Sequence, residues 1–363
     1  MANLKNFFYK KKILITGHTG FKGSWLTLWL KNYDAKIFGI SKDIPTKPAH
    51  FSVSKLYKGI KNYQFDILDQ KKLKKTFLKI KPDYVFHLAA QSLVKKSYED
   101  PTVTWNTNLI GTLNVLESLR ALNKSCIAVL ITSDKCYFNK ETHKGYKESD
   151  TLGGEDPYSA SKASAEILIK SYTKSFFNEK KSGVKIVSVR AGNVIGGGDW
   201  SKNRLIPDCV TRWSANKTVK IRNPFSTRPW QHVLEAIYGY VLLATKLMKN
   251  SSLHGESFNF GPSNNSNYNV IYLLKTTKKF WKNIKWSVVI SKKKLFKESN
   301  LLRLNTQKVR KTIKWKSILK FEECIAMTIN WYRDFYLKSK DMKALSLQQI
   351  KEYQKLLTKR ELK

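Results

Sequence analysis

The run Ile13-Leu14-Ile15-Thr16-Gly17-His18-Thr19-Gly20-Phe21-Lys22-Gly23-Ser24-Trp25-Leu26 decides the fold of this chain. An apolar strand enters a glycine-punctuated turn and leaves as a helix. Such a turn is an anion site, because free backbone N–H groups and the positive end of the helix dipole point at one place. The pyrophosphate of a dinucleotide is the natural guest. Gly17 permits the tight turn, Gly20 lets the diphosphate approach the backbone, and Gly23 lets the helix pack close to the strand. Thr19, Phe21 and Lys22 stand between them and complete the expected cofactor cradle. The spacing is G-x-x-G-x-x-G, not G-x-G-x-x-G.

Working outward, 363 residues leave room for two domains or one large α/β unit with an elaborated C-terminal part. A hydrophobic content of 42% with 12% aromatic residues supports a proper core. No run approaches the roughly 20 apolar residues of a membrane span. The start, Met1-Ala2-Asn3-Leu4-Lys5-Asn6, lacks the apolar segment of a secretory signal, so a cytoplasmic protein without a membrane partner is expected. The four cysteines, Cys126, Cys136, Cys209 and Cys324, show no C-x-x-C spacing and no neighbouring histidine cluster. Reduced thiols and no metal site are the reading. The formal net charge of +40 comes mostly from lysine spread along the whole chain, as in Lys10-Lys11-Lys12 and Lys292-Lys293-Lys294. Arginine, which suits base and phosphate forks, is scarce by comparison. The excess therefore reads as a solvated surface that assists an anionic substrate, with no nucleic-acid partner expected.

In chain order, a helix from about Phe21 to Tyr33 leads to a strand over Lys36 to Ile40. Asp43 stands 20 positions beyond Gly23, where NAD sites place a carboxylate on the ribose, although Lys42 and Lys47 also suit a 2′-phosphate. Asp66, followed by Ile67, closes a third strand and can receive the adenine amino group. A basic helix from Gln70 to Lys81 precedes the buried strand Tyr84 to Ala90, where Leu88, Ala89 and Ala90 let a cofactor lie against the sheet edge. His87, flanked by apolar residues, reads as a satisfied core histidine. A long helix from Pro101 to Leu122 carries Asn108 and leads to the strand Ala128 to Ser133. Alternation of apolar strands with helices predicts an α/β fold, a doubly wound parallel (Rossmann-type) sheet with a smaller C-terminal substrate-binding domain. We expect residues 1–191 to form the NAD-binding domain, with a segment near 229–262 returning to it, and 192–363 to form mainly the substrate domain. The helix Phe321 to Tyr336 packs back on the sheet, and the polar stretch from Ser339 to Lys363 is expected to fray.

Ligands on such sheets sit at the carboxyl ends of the strands, and Ser133-Asp134-Lys135 lies at one of those ends. Tyr158 and Lys162, four residues apart behind an Asp156-Pro157 helix start, share a helix face. A lysine ammonium beside a phenol lowers the phenol pKa, so a tyrosinate base near neutrality is expected. Arg204 and Arg228 can clamp a diphosphate, and Trp230 can pack on a ring.

These residues resemble the extended short-chain dehydrogenases that modify nucleotide sugars. More narrowly, Gly17-His18-Thr19-Gly20-Phe21-Lys22-Gly23-Ser24-Trp25, Thr132-Ser133-Asp134-Lys135-Cys136-Tyr137, Gly196-Gly197-Gly198-Asp199-Trp200 and Arg228-Pro229-Trp230-Gln231-His232-Val233 resemble the CDP-glucose 4,6-dehydratases. In related dehydratases the third position of the strand-end triplet is an acid, whereas here it is Lys135. The resemblance implies a redox-neutral dehydration of CDP-glucose with tightly bound NAD. In it Tyr158, supported by Lys162 and Ser133, takes the C4 hydroxyl proton as hydride leaves for NAD. Lys135 removes the C5 proton, Asp134 protonates the departing C6 hydroxyl, and hydride returns to C6. It further implies that Asn108 holds the active-site loop or a relay water beside the cofactor. Gln91, Asn193, Arg204, Arg228 and Trp230 would bind substrate. A homodimer or homotetramer paired through the helices of Asn108 and Tyr158 is implied, as is a role in deoxysugars of a surface polysaccharide such as lipopolysaccharide O-antigen. The competing readings are a nucleotide-sugar 4-epimerase, a dehydratase for another NDP-hexose, and an NAD-sensing nucleic-acid-binding regulator. Such regulators usually lose the Tyr/Lys pair, which is intact here.

Overall fold

The computed structural model describes residues 2–142, 144–177, 182–262, 268–289 and 301–361. Seven strands build one parallel sheet: β1 Lys12–Thr16, β2 Lys36–Ser41, β3 Lys61–Gln64, β4 Tyr84–His87, β5 Cys126–Ile131, β6 Val184–Ala191 and β7 Ser257–Phe260, in the order β7-β6-β5-β4-β1-β2-β3. Strand order reverses between β1 and β4, the topological switch where doubly wound sheets hold their ligands. The helices used below are α1 Phe21–Lys31, α2 Gln70–Ile80, α3 Gly111–Arg120, α4 Pro157–Phe176, α5 Val233–Lys249, α6 Phe321–Tyr336 and α7 Met342–Glu361.

The strands are apolar throughout because both faces are covered. Successive side chains alternate between two cores: Ile13, Ile15, Phe86, Val129 and Val189 join the cluster under α1, α5, α6 and α7. Leu14, Val85, Ala128, Leu130 and Ile186 join Leu73 and Phe77 of α2, Leu119 of α3 and Ile169 of α4. The period of two in the strands thus meets the helical period in each layer. The segment after β6 sends α5 across the first face and returns as β7, which pairs with β6 from Ser257↔Ser188 to Phe260↔Ala191. Between them, and beyond β7, run short ribbons, among them Thr227–Arg228 against Tyr268–Asn269.

As far as Glu361 the tail does not fray. Residues 342–361 form α7, with Ile350, Tyr353 and Leu357 buried in the first core. His50 Nε2 meets Ser346 Oγ at 3.1 Å, and the Tyr353 hydroxyl donates to Glu235 Oε2 at 2.9 Å. Glu235 also accepts the N–H groups of Ile318 and Leu319, so one buried carboxylate fastens α5, the loop before α6 and α7 together. The expectation of a loose end failed because apolar positions 342, 345, 350, 353 and 357 are diluted by lysine and glutamine, and their partners are remote in sequence. No helix among the described residues is long and apolar enough to cross a membrane.

Candidate active site

The glycine-rich turn sits at the switch point between β1 and β4. Gly17 has φ +73, and a Cβ there would lie 2.7 Å from the backbone nitrogen of Ala89, just past β4. A Cβ on Gly23 would lie 2.1 Å from Gly17 O, so the close packing of α1 on the turn requires its absence. Helix α1 starts at Gly20 with no side-chain cap and no acidic residue in its first turn. Its dipole and N–H groups are left for an outside anion. Thr19 Oγ1 donates to the backbone oxygen of Asp43 at 2.6 Å, which ties the turn to the loop after β2. The Asp43 side chain is exposed there. Asp66 accepts the Leu68 N–H at 3.1 Å and pairs with Lys42 at 3.1 Å, while Ile67 is buried beneath α3. Leu88, Ala89 and Ala90 are half-buried at the carboxyl end of β4, with Phe21 half-buried at the start of α1.

The strand end after β5 is organised by Ser133. Its Oγ accepts the Lys135 N–H at 3.3 Å and donates to Asp134 Oδ1 at 3.1 Å, opening a short turn over Asp134–Cys136. The same hydroxyl bonds the phenol of Tyr158. Tyr158 and Lys162 ride on α4, started by Asp156, whose side chain accepts the Ser159 N–H at 2.9 Å, and by Pro157 at the first helical position. Ser133, Asp134, Lys135, Tyr158 and Lys162 are thus brought to one place. Burial pushes the Asp134 carboxyl up, against the pull of Lys135, Ser133 and Lys22. Burial pushes Lys162 down to about 8, opposed by Glu166. Lys22, in the first turn of α1, is pushed down to about 8 by burial and by the charges of Arg204 and Lys162, while Asp134 and Asp199 act the other way. Its side chain therefore stands among the reacting groups.

One expectation is corrected. Tyr158 is not lowered towards neutrality: burial pushes it up to about 12, Asp134 adds to the rise, and Ser133 and Arg204 only partly oppose it. Lys162 shares the helix face, but desolvation of the phenol outweighs what its neighbours give back.

The other expected residues divide. Arg204 pairs with Asp199 at 2.9 Å, reaches Ser92 Oγ at 3.3 Å and lies close enough to Tyr158 to act on it electrostatically. Asn193 lies two residues past β6, its backbone oxygen accepting the Gln231 N–H at 3.1 Å. Arg228 is half-buried in its ribbon and donates to Thr227 O at 2.9 Å. Trp230 is buried and lines a small enclosed cavity with Glu235 and Phe321. Gln91, expected to bind substrate, is turned inward instead: its amide donates to Leu93 O and Thr104 Oγ1 and accepts the Leu93 N–H. Asn108 lies in a π-turn, Asn106–Ile110, set between helical turns. Its amide donates to Gln91 O at 3.0 Å and Ser161 Oγ at 2.9 Å and accepts the Gln91 N–H at 2.9 Å. It clamps the loop after β4 onto α4, which leaves its two amide hydrogens committed within the protein. His87 bonds Thr16 and Thr112, as a core histidine should.

Sequence reasoning passed over Asp199, Glu166 and Arg190. Asp199 stood within the quoted Gly196-Gly197-Gly198-Asp199-Trp200 stretch, five residues before Arg204, and Glu166 continues the four-residue spacing of Tyr158 and Lys162. Arg190 and Glu166 form a buried ion pair at 2.7 Å.

The chain is similar to known proteins along nearly its whole length. The chain is 39% identical to the CDP-glucose 4,6-dehydratase of Salmonella typhimurium, over 98% of this chain and 99% of that protein. Among solved structures it superposes on an epimerase of Methanothermobacter thermautotrophicus with a TM-score of 0.80 at 23% identity, covering 93% of this chain and 97% of that one. A UDP-glucuronic acid 4-epimerase of Bacillus cereus, solved with UDP-glucuronic acid and NAD, gives 0.76 at 21% identity over 90% of this chain and 100% of that one. These two show the shared fold. The family model described as GDP-mannose 4,6 dehydratase matches residues 14–328, from the first strand through the glycine turn, the Ser133 strand end and the Tyr158 helix to α6, and the chain belongs to that family of extended short-chain dehydrogenases.

Proposed function

We propose that this protein is a hydro-lyase that converts CDP-glucose to CDP-4-dehydro-6-deoxyglucose with NAD as a resident cofactor. The observation that carries the reading is Asp134: a buried carboxyl whose pKa desolvation pushes up, hydrogen-bonded to Ser133 and set beside Tyr158, Lys135 and Lys22. A carboxylic acid whose protonated form is favoured by burial is the kind of proton donor a departing hydroxyl needs. The 39% identity with a CDP-glucose 4,6-dehydratase supports the nucleotide assignment.

The turn fits a dinucleotide, because the uncapped start of α1 and the Cβ-free surface of Gly17 leave backbone room for a diphosphate. Gly17, Thr19, Gly20, Phe21, Lys22 and Gly23 would hold it, with Asp43 and Asp66 towards the adenosine and Leu88, Ala89 and Ala90 along its length. NAD, when bound, supplies a store for the hydride of C4 and a positive ring that favours the ionised phenol. Tyr158 accepts the C4 hydroxyl proton, with Ser133 orienting the phenol and Lys162 supplying positive charge. Lys135, as its free amine, then takes the C5 proton made acidic by the C4 ketone and gives it back to C5 at the end of the cycle, and Asp134 delivers its proton to the C6 hydroxyl as water departs. Arg204, held by Asp199, faces the sugar diphosphate, with Asn193, Arg228 and Trp230 farther out along the substrate.

Turnover of a panel of NDP-glucoses, with and without added NAD, tests the reading. CDP-glucose is expected to yield the alkali-developed 4-keto absorbance without net NADH. Formation of CDP-galactose, or preference for another nucleotide, overturns it. We further propose a homodimer or homotetramer paired through the helices of Asn108 and α4, supported by Val103, Ile110 and Ile167, apolar side chains exposed on them. A cytoplasmic enzyme feeding deoxysugars to a surface polysaccharide is the corresponding cellular reading.

A further inference from the structure

We propose that Glu166 is a positioning residue for the reaction: with Arg190 and Thr132 it locks the strand end of Ser133, Asp134 and Lys135 to the helix of Tyr158 and Lys162 and sets a negative charge one helical turn from Lys162. Tyr158, Lys162 and Glu166 follow one another at four-residue intervals, which stacks them along one face of α4. Tyr158 stands at the crevice, Lys162 behind it, and Glu166 beneath both against the sheet.

Glu166 is 3% exposed, as is Arg190 of β6. Its Oε2 accepts Arg190 Nη2 at 2.7 Å, Ser188 Oγ at 2.9 Å and Ser257 Oγ at 3.2 Å. Its Oε1 accepts the hydroxyl of Thr132, the residue immediately before Ser133. Arg190 is in turn held by the Tyr137 hydroxyl at 2.8 Å and Glu148 O at 3.1 Å. One carboxylate therefore joins β5, β6, β7 and α4 directly under the reacting groups. A buried ion pair adds little stability over apolar residues of the same volume. Packing alone does not call for charge here.

The charge acts on Lys162. Among the groups around that ammonium, the Cys136 thiol is raised well above its ordinary value and neutral, His87 is pushed down to about 3 and neutral, and Lys22 is a like charge. Glu166 is the anion that acts against the desolvation of Lys162. Arg190 in turn keeps Glu166 ionised, since it pulls the carboxyl below its ordinary range despite burial. Without the anion Lys162 would lose its proton at lower pH, and the phenol would lose its cationic neighbour.

The proposal rests on Tyr158 and Lys162 as the proton-transferring pair. The test compares wild type, Glu166→Gln, Glu166→Asp and Thr132→Val in kcat, KM, thermal midpoint and pH profile from about pH 6 to about pH 10 with CDP-glucose. Glu166→Gln keeps an acceptor for Thr132 but loses the charge. It is expected to move the alkaline limb of kcat to lower pH by about one unit, and Glu166→Asp is expected to restore it. Thr132→Val keeps the charge and loses one hydroxyl: it is expected to lower kcat about tenfold at unchanged KM and an unmoved alkaline limb. Competitive acetylation of Lys162 against pH, read by mass spectrometry, needs no substrate and follows the same shift. Wild type inactive on CDP-glucose sinks the substrate assignment, while the labelling still decides this proposal. An unmoved limb and unmoved Lys162 labelling in Glu166→Gln, with only a lowered thermal midpoint, reduces Glu166 to a structural residue and overturns it. Should Glu166→Gln fail to fold, wild-type kcat in Thr132→Val overturns it equally.

Discussion

Desolvation raises both Asp134 and Tyr158, and the two consequences point in opposite directions. For Asp134 the rise is useful, because it favours the protonated form that a proton donor needs. For Tyr158, pushed up to about 12, it is a cost that the Ser133 hydrogen bond and the nearby cations must offset before the phenol can act as a base. Lys135 is the amine next in sequence to the acid at the strand end, so Lys135→Met is expected to lower kcat by about a thousandfold, within the range general-base removal produces. NAD binding, followed by cofactor content of the purified variant, should be unchanged. Retained turnover in Lys135→Met would move the C5 proton to another base, with Lys22 the nearest alternative by charge. The residue pairing was legible from spacing alone. The direction of the Tyr158 shift was not, because burial is a sum over neighbours that come from separate parts of the chain, Ser133, Asp134 and Arg204 among them.

At the scale of elements, two junctions carry the architecture. Where α1 leaves the glycine turn, Gly23 lies so close to Gly17 O that an added methyl has no room. Gly23→Ala is expected to lower the thermal midpoint, by about 1 to 3 kcal/mol of stability, and to reduce cofactor content with it. The second junction is α7. Removing one donor to the buried Glu235 carboxylate by Tyr353→Phe should cost about 1.5 to 3 kcal/mol in denaturant unfolding, with kcat unaffected since no reacting group is touched. The first junction could be read from the sequence, as its glycines are local and their spacing is imposed by the turn. The second could not. A helix whose apolar positions are sparse shows its function only once Trp29, Tyr33 and Tyr238 are seen packed against it.

The molecule as a whole responds to pH through its buried histidines. His18 is pushed down to about 4, and His50, His87 and His232 to about 3, each chiefly by burial. Their folded-state values lie below the unfolded value of about 6.5, so the unfolded chain binds more protons in acid. Stability is fully present above about pH 6.5 and is lost as pH falls towards 4 and below, each histidine being worth about 3 to 5 kcal/mol at full protonation. Thermal midpoints measured by circular dichroism should therefore drop steeply below about pH 6.5; a flat profile down to pH ~4 would contradict buried neutral imidazoles. The net charge of +40 belongs to a lysine-rich solvated surface that is expected to assist an anionic substrate as a secondary effect. Raising ionic strength from about 0.05 M to about 0.5 M is expected to lower kcat/KM for the anionic nucleotide sugar several-fold with kcat unchanged.

Local chemistry was enough to announce the doubly wound sheet, the anion-binding turn and the Tyr158/Lys162 couple, because glycine tolerance, strand apolarity and helical spacing each act over a few residues. Only the folded chain decided which side chains share an environment. It turned Gln91 inward, set Asn108 as a clamp, brought Asp199 to Arg204 and seated Glu166 under the site. It also docked the last helix onto the core. The physical reason is that burial and electrostatic coupling depend on distances between atoms far apart along the chain, and those distances exist only after the layers have packed.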